Sequence, residues 1–291
     1  MQKFVIFTDS DTDFDLEDCA EFGFHMISMP YVIDEVTYYP YKDGKPVDFE
    51  AFYNLLKKGV MPKTSALAPG EYIEYFEPIF KEGKDILYVH FSSAMSGTFN
   101  AMHLALEELK EKYPDRKFYE IDTKGITLNS YPTVRYVGEL YKAGKDAEEI
   151  VALAKERVEH QASYFYASDL KFFARSGRVS GFAAFMGSII GIHPIINMNQ
   201  DGVMGSVDKA RGKIPTLKKI VQYMIDLEAN VKDYEVYIGN TGANDEVELI
   251  KGLIIEQFGE GIKFREKYVN PTAGSHCGPG NVGVSFYAKH R

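Results

Sequence analysis

The sequence predicts an α/β protein of two domains, the N-terminal one built on a parallel sheet and the C-terminal one on a mixed sheet. Three observations carry this. The chain has 291 residues, long for a single domain of ~100–150 residues and suited to two. Its first half alternates runs of β-branched and aromatic residues with amphipathic segments, as strands joined by crossover helices do. Its second half holds two strand-like runs joined through Gln200-Asp201-Gly202, which fits an antiparallel hairpin and so a mixed sheet.

In chain order, strands are expected at 4–8, 86–91 and 118–121, with helices at 49–58, 71–81 and 98–112 between them. This is the order of a Rossmann-like sheet. Residues 26–33 and 36–41 flank Asp34-Glu35 and read as a small hairpin appended to it. A long helix beginning at Asp146 carries Ile150, Val151, Leu153, Ala154 and Val158 on one face and ends near His160. The domain boundary is placed after it, giving domains at 1–161 and 162–291. Strands follow at 164–167, 193–198, 203–208, 235–240, 262–268 and 282–287, with helices at 215–229 and 245–258.

Composition narrows the function. With 45% hydrophobic and 26% charged residues, no tract is polar enough to be disordered. A net charge of -9 repels phosphates and anionic headgroups, which argues against nucleic acid or a membrane surface as the main partner. Two cysteines, Cys19 and Cys277, fit incidental thiols of a reducing cytoplasm. The N-terminus runs into a strand pattern without a cleavable apolar leader. The longest apolar stretch, 181–198, is broken by Ser188, His193, Pro194 and Asn197 and falls short of the ~20 apolar residues of a membrane span. A cytoplasmic protein without stable membrane insertion is expected.

The first strand ends in Thr8-Asp9-Ser10-Asp11-Thr12-Asp13-Phe14-Asp15. Carboxylates this dense point to a hard cation or a phosphoryl-transfer nucleophile. A calcium loop fails, because its sixth position should be Gly and is Phe14, and its twelfth should be Glu and is Ala20. A magnesium-dependent haloacid-dehalogenase-like phosphatase would use Asp9 and Asp11. Its Asp-x-Asp-x-Thr/Val pattern meets Asp13 at the fifth position, and Gly239-Asn240-Thr241 replaces its later acidic pair. A capped turn before a helix at Leu16 is the simpler reading, with the phosphatase kept as the alternative.

Two further loops share one logic. Lys63-Thr64-Ser65-Ala66-Leu67-Ala68-Pro69-Gly70 leads into a helix with Pro69 in its first turn, and Phe91-Ser92-Ser93-Ala94-Met95-Ser96-Gly97-Thr98 leaves a strand to enter another. Each alone reads as N-capping; together, helix N-termini and hydroxyls suit one small anion, a carboxylate or a phosphate. Ser96 is not a hydrolase nucleophile, since Ala94 stands where its elbow needs Gly, and no Gly-Lys-Ser/Thr marks a P-loop. In Ala273-Gly274-Ser275-His276-Cys277-Gly278-Pro279-Gly280-Asn281, glycines allow close backbone approach and His276 can hydrogen-bond an anion; a lone His-Cys pair falls short of the four ligands of structural zinc. The apolar stretch 181–196 mixes large and small side chains and leaves room for a neighbouring helix or an apolar ligand. Arg175 and Arg178, with Lys209, Arg211, Lys213, Lys218 and Lys219, concentrate basic charge in the second half, as solvated surface or as a docking face for an anionic partner.

Taken in order, these segments resemble the DegV family, the fatty-acid-binding subunits of bacterial fatty acid kinase. The resemblance covers nearly the whole chain through Thr8-Asp9-Ser10 with Asp13, Thr64-Ser65, Ser92 to Thr98, Ile121-Asp122-Thr123, Ala174-Arg175-Ser176-Gly177-Arg178, Gly191-Ile192-His193-Pro194-Ile195 and Gly274 to Gly280. It implies a long-chain fatty acid buried in the second domain against Phe182, Ala183, Phe185, Met186, Ile189, Ile190, Ile192 and Ile195. Its carboxylate would lie at the interdomain cleft on Thr64, Ser65, Ser93, Ser96 and Gly97, with His276 and Arg211 close by. An ATP-dependent fatty acid kinase subunit would dock at Arg175 and Arg178 and convert the carboxylate to an acyl phosphate, a precursor for phospholipid metabolism. The chain itself then needs no catalytic residue, metal or cofactor, only the fatty acid as ligand.

Overall fold

The computed structural model describes residues 3–180 and 191–291. The first half runs β1 (Phe4–Asp9), α1 (Leu16–Phe22), β2 (Phe24–Ile27), β3 (Tyr31–Ile33), β4 (Val36–Tyr38), α2 (Phe49–Lys57), β5 (Lys63–Thr64), α3 (Pro69–Lys81), β6 (Asp85–His90), α4 (Thr98–Lys112), β7 (Phe118–Asp122), α5 (Tyr131–Lys142) and α6 (Ala147–Glu159). The second half runs β8 (Gln161–Tyr166), α7 (Leu170–Ser176), β9 (Val179–Ser180), β10 (Ile192–Met198), β11 (Met204–Arg211), α8 (Lys213–Leu227), β12 (Glu235–Asn240), α9 (Asn244–Phe258), β13 (Lys263–Tyr268), α10 (Pro271–Cys277) and β14 (Val282–Tyr287).

Strands β2-β1-β6-β7 form a wholly parallel sheet. Side chains alternate across it, as the two-residue period of a strand requires. Ile6, Leu87, Val89 and Ile121 face Phe22, Val134 and Ile150 of α1, α5 and α6, while Phe7, Ile86 and Tyr88 face Phe76 and Met102 of α3 and α4. The second sheet, β13-β12-β14-β8-β10-β11-β9, is mixed. One face packs Tyr164, Ile195, Ile238 and Val284 against Leu217, Ile220 and Ile250 of α8 and α9. The other face turns Ile196, Met198 and Met204 towards Phe91, Met95 and Phe99 of the first half, so one apolar cluster spans both sheets.

Several expectations are met closely, including α4, α6 with Asp146 as its N-cap, and the β10–β11 hairpin. Asp34 and Glu35 take the left-handed backbone (φ 48° and 66°) that a tight β3–β4 turn requires. Two differences matter. The run expected as one hairpin arm at 26–33 is split: β2 pairs with β1 in parallel, and the hairpin is completed by β5, giving the order β4-β3-β5. The glycine-rich segment near the C-terminus is partly helical, since Asn270 caps α10 by accepting from Ala273 N at 3.0 Å and Pro271 opens it.

Candidate functional site

The parallel sheet delivers its strand ends to the second sheet, which is where open α/β sheets place ligands. Polar contacts fix the two halves there. Asn270 donates through N and Nδ2 to Asp13 Oδ1, both at 2.9 Å. Lys267 Nζ reaches Asp15 and Asp18, both at 2.6 Å, and Ser92 Oγ donates to Gly202 O at 2.8 Å. Between them lies a cavity of about 180 Å³, room for on the order of six waters at ~30 Å³ each. Its apolar wall comes from both halves, with Phe91, Met95 and Leu128 facing Phe165, Met198 and Met204. Phe165 pairs with Gly283, where an added Cβ would come within 2.3 Å of the Phe165 Cβ.

The polar wall gathers Thr64, Ser65, Ser96, Gly97, Arg178 and His276. Thr64 ends β5 and its Oγ1 lies 2.9 Å from His276 Nε2, across 212 residues of sequence. Burial lowers the basicity of His276, and Arg178 and Arg175 add to this, bringing its pKa to about 4; the imidazole is neutral at neutral pH. Ser96 Oγ accepts from Thr98 N at 3.2 Å at the start of the 15-residue α4, whose N-cap, Gly97, supplies no side-chain cap. Thr98 Oγ1 in turn accepts from Leu67 N at 3.2 Å and meets Tyr72 Oη at 2.9 Å, tying the two hydroxyl loops together. Met95, Ser96, Gly97 and Arg178 also line a shallower pocket on the surface with Asn100 and His103, so these four residues mark the cavity mouth.

The aspartates of the first loop work mainly as fasteners. Asp9 Oδ1 accepts from Asp11 N at 3.0 Å, and its Oδ2 accepts from Tyr88 Oη at 3.0 Å and Phe91 N at 3.2 Å. Burial pushes Asp9 and Asp13 up to about 7. Asp9, the nucleophile of the phosphatase alternative, thus has both oxygens committed within the protein, and no group of three or more His, Cys, Asp or Glu among the described residues is arranged to hold a metal ion. Asp15 caps α1 by accepting from Asp18 N at 2.9 Å. Asp11 alone lines the cavity, and its buried Oδ1 has no hydrogen-bond partner.

Some expected site residues stand elsewhere. Ser93 donates from Oγ to Asp122 Oδ2 at 2.6 Å and lines only the surface pocket, so of this loop it is Ser96 that reaches the cavity. Arg211 is exposed and pairs across from Ile192; seven residues from Met204, it lies ~23 Å along β11 from the wall at ~3.3 Å per residue. Ile192, six residues from Met198, lies ~20 Å along β10 from it. Ile195 packs under α8, because it faces the opposite side of the sheet from Ile196 and Met198. Arg175 is spent on backbone carbonyls, donating to Met61 O at 2.8 Å, to Pro62 O and to Ser275 O at 3.3 Å, whereas Arg178 belongs to the cavity mouth. Phe182, Ala183, Phe185, Met186, Ile189 and Ile190 lie outside the described residues. Sequence reasoning missed the methionine wall, although Ile196, Met198 and Met204 carry the period-two signal that would have marked it.

Fold and site define a two-domain α/β protein with an apolar cavity closed by a hydroxyl, imidazole and guanidinium cluster. The family model described as "Uncharacterised protein, DegV family" matches residues 3–289, and the chain belongs to that family. A DegV domain-containing protein of Clostridium perfringens is 33% identical over 287 residues, 98% of each chain. Among solved structures, a stearic acid-binding protein of Eubacterium ventriosum superposes with a TM-score of 0.84 at 21% identity, covering 99% of both chains. DegV of Bacillus subtilis, described as a fatty acid binding protein, superposes with a TM-score of 0.82 at 24% identity, covering 99% of this chain and 100% of that one.

Proposed function

We propose that this protein binds one long-chain fatty acid in the interdomain cavity and presents its carboxylate at the mouth to a separate ATP-dependent kinase, which converts it to an acyl phosphate. The observation that carries the reading is the join of a two-sided apolar wall to Thr64, Ser96 and His276 in one cavity. Burying ~12 methylenes at ~0.8 kcal/mol each gives ~10 kcal/mol of gross stabilisation, less the cost of association. A carboxylate drawn into such a site needs donors, because an unpaired buried charge is very costly. Thr64 supplies one when His276 carries its proton on Nε2 and donates to Thr64 Oγ1, leaving the hydroxyl proton for the ligand. Gly97 and the open N-terminus of α4 supply backbone N–H groups and the positive end of a helix.

The fatty acids named for the neighbouring structures support the ligand class. The kinase step is supported by family resemblance and by the position of Arg178, exposed at the mouth and free of an ion pair among the described residues, where a second protein can reach it. Titration of delipidated protein with a fluorescent long-chain fatty acid tests the binding: one equivalent displaced by stearic acid is expected, and no saturable binding would overturn it. Acyl phosphate formed from that complex by a fatty acid kinase with ATP and magnesium tests the second step.

A further inference from the structure

Asp11 is the one acidic side chain of the described cavity lining, and its situation differs from that of its neighbours. Asp9 has both oxygens bonded, and Asp13 has two donors from Asn270 on Oδ1 while its Oδ2 is buried without a partner away from the cavity lining. Asp11 is 5% exposed and its Oδ1 is buried without a partner. A carboxylate left like that costs several times what a partnered one does, and the group escapes the cost by keeping its proton or by meeting a donor from a ligand. The ligand read for this cavity is itself an anion, which brings acceptors and no donor, so the proton must come from Asp11.

Burial and the neighbouring carboxylates favour the protonated form. Burial comes first, and the charges of Asp9 and Asp13 add to it, so that Asp11 stays protonated well above the ordinary aspartate range. Of the groups facing it, Tyr88 of β6 and Tyr72 of α3 are neutral phenols held far from ionisation. Cys277 of α10 is a neutral thiol pushed up to about 12, and His276 beside it is neutral with a pKa near 4. Of the cations around it, His90 places Nε2 2.9 Å from Glu120 Oε1, Lys267 bridges Asp15 and Asp18, and Arg178, which shares the cavity lining, stands exposed at its mouth. The turn at Thr127–Asn129, which also packs on this loop, brings no ionisable side chain.

We propose that Asp11 is a ligand-binding residue which, as the neutral acid, donates its O–H to the carboxylate of the bound fatty acid, so that the two carboxyl groups share one proton and binding is linked to protonation. This rests on the fatty acid reading of the cavity and adds to it a named donor and a pH dependence. The linkage has a definite sign. Below the pKa of Asp11 in the empty protein the proton is already in place and affinity is level. Above it, binding takes up one proton, and affinity falls tenfold for each pH unit. A further consequence is selectivity, since a permanently cationic head offers no acceptor for the Asp11 proton.

The test is the affinity of delipidated protein for stearic acid between pH 6 and 10, for wild type, Asp11→Asn and Asp11→Ala. The wild-type affinity should be level and then fall with a slope approaching tenfold per pH unit. Asp11→Asn, whose amide donates at every pH, should lose this fall and keep only a shallower drift as Asp9 and Asp13 ionise near 7, and Asp11→Ala should be weaker than Asp11→Asn throughout. Should the variants fold poorly, calorimetry of the wild type in two buffers of different ionisation heat counts the proton directly: uptake approaching one at the alkaline end is expected. Parallel pH profiles for wild type and Asp11→Asn, or zero proton uptake across the range, would overturn the role of Asp11 while leaving the fatty acid reading intact. A failure to bind stearic acid at any pH would overturn both.

Discussion

Thr64→Val removes one hydroxyl and little else. Valine keeps the β-branched shape, so the Tyr31–Thr64 pairing of β5 with β3 is retained. Lost are the 2.9 Å contact with His276 Nε2 and the proton offered to the ligand. A hydrogen bond to a charged group contributes ~1.5–3 kcal/mol, which converts to a loss of ~10- to 150-fold in affinity. The site is half-buried and lies at an edge, so thermal stability should change by less than ~1 kcal/mol. The assay is displacement of a fluorescent fatty acid from delipidated protein, with a thermal melt on the same sample. An affinity within twofold of wild type in a folded variant would refute the donor role and with it the proposed geometry of the carboxylate.

Arg175→Ala should cost ~2 kcal/mol through three orphaned carbonyl contacts, seen as a melting temperature lower by ~4–8 °C; an unchanged melt would show that these bonds carry no stability. Arg178→Glu places a negative charge at the cavity mouth, so fatty acid affinity should fall at least several-fold and acyl phosphate formation with a kinase should fall further and lose its salt sensitivity. Normal turnover would place docking elsewhere. Glu120 gives an acid-side prediction: burial alone would raise it, but the hydrogen bond and charge of His90, then His103, hold it down to about 2. Stability from this cluster is complete above the ordinary glutamate pKa near ~4.3 and is lost as pH falls towards 2, so the difference in melting temperature between wild type and Glu120→Gln should shrink over that interval.

Much of the fold was legible because it follows local rules. Asp146 caps α6, the hydrophobic period of 98–112 is that of α4, and short runs of β-branched and aromatic residues mark β1 and β6. Other features depend on distant partners. Nothing local distinguishes residues 24–27 as a parallel strand rather than a hairpin arm until β1 offers its edge, and α5 was hidden by its tyrosines and small residues, which only the packing around Phe22 turns into an apolar face. At the site, Thr64 and His276 were each singled out, yet their contact bridges the two domains and no sequence spacing encodes it. Arg175 and Arg178 look alike in sequence; a neighbouring pair of carbonyls at Met61 and Pro62 makes one a fastener and leaves the other at the mouth. Ile195 and Ile196 are adjacent isoleucines on opposite faces of one sheet, and only the pairing of β10 shows which of them meets the cavity side.

The most direct measurement of the central claim is mass spectrometry of the protein as purified, first under native conditions and then after gentle denaturation. The account predicts a mass excess of one long-chain fatty acid per polypeptide, released on unfolding and restored when stearic acid is added back to delipidated protein. A native mass equal to that of the polypeptide alone, together with no uptake of stearic acid on addition, would contradict it.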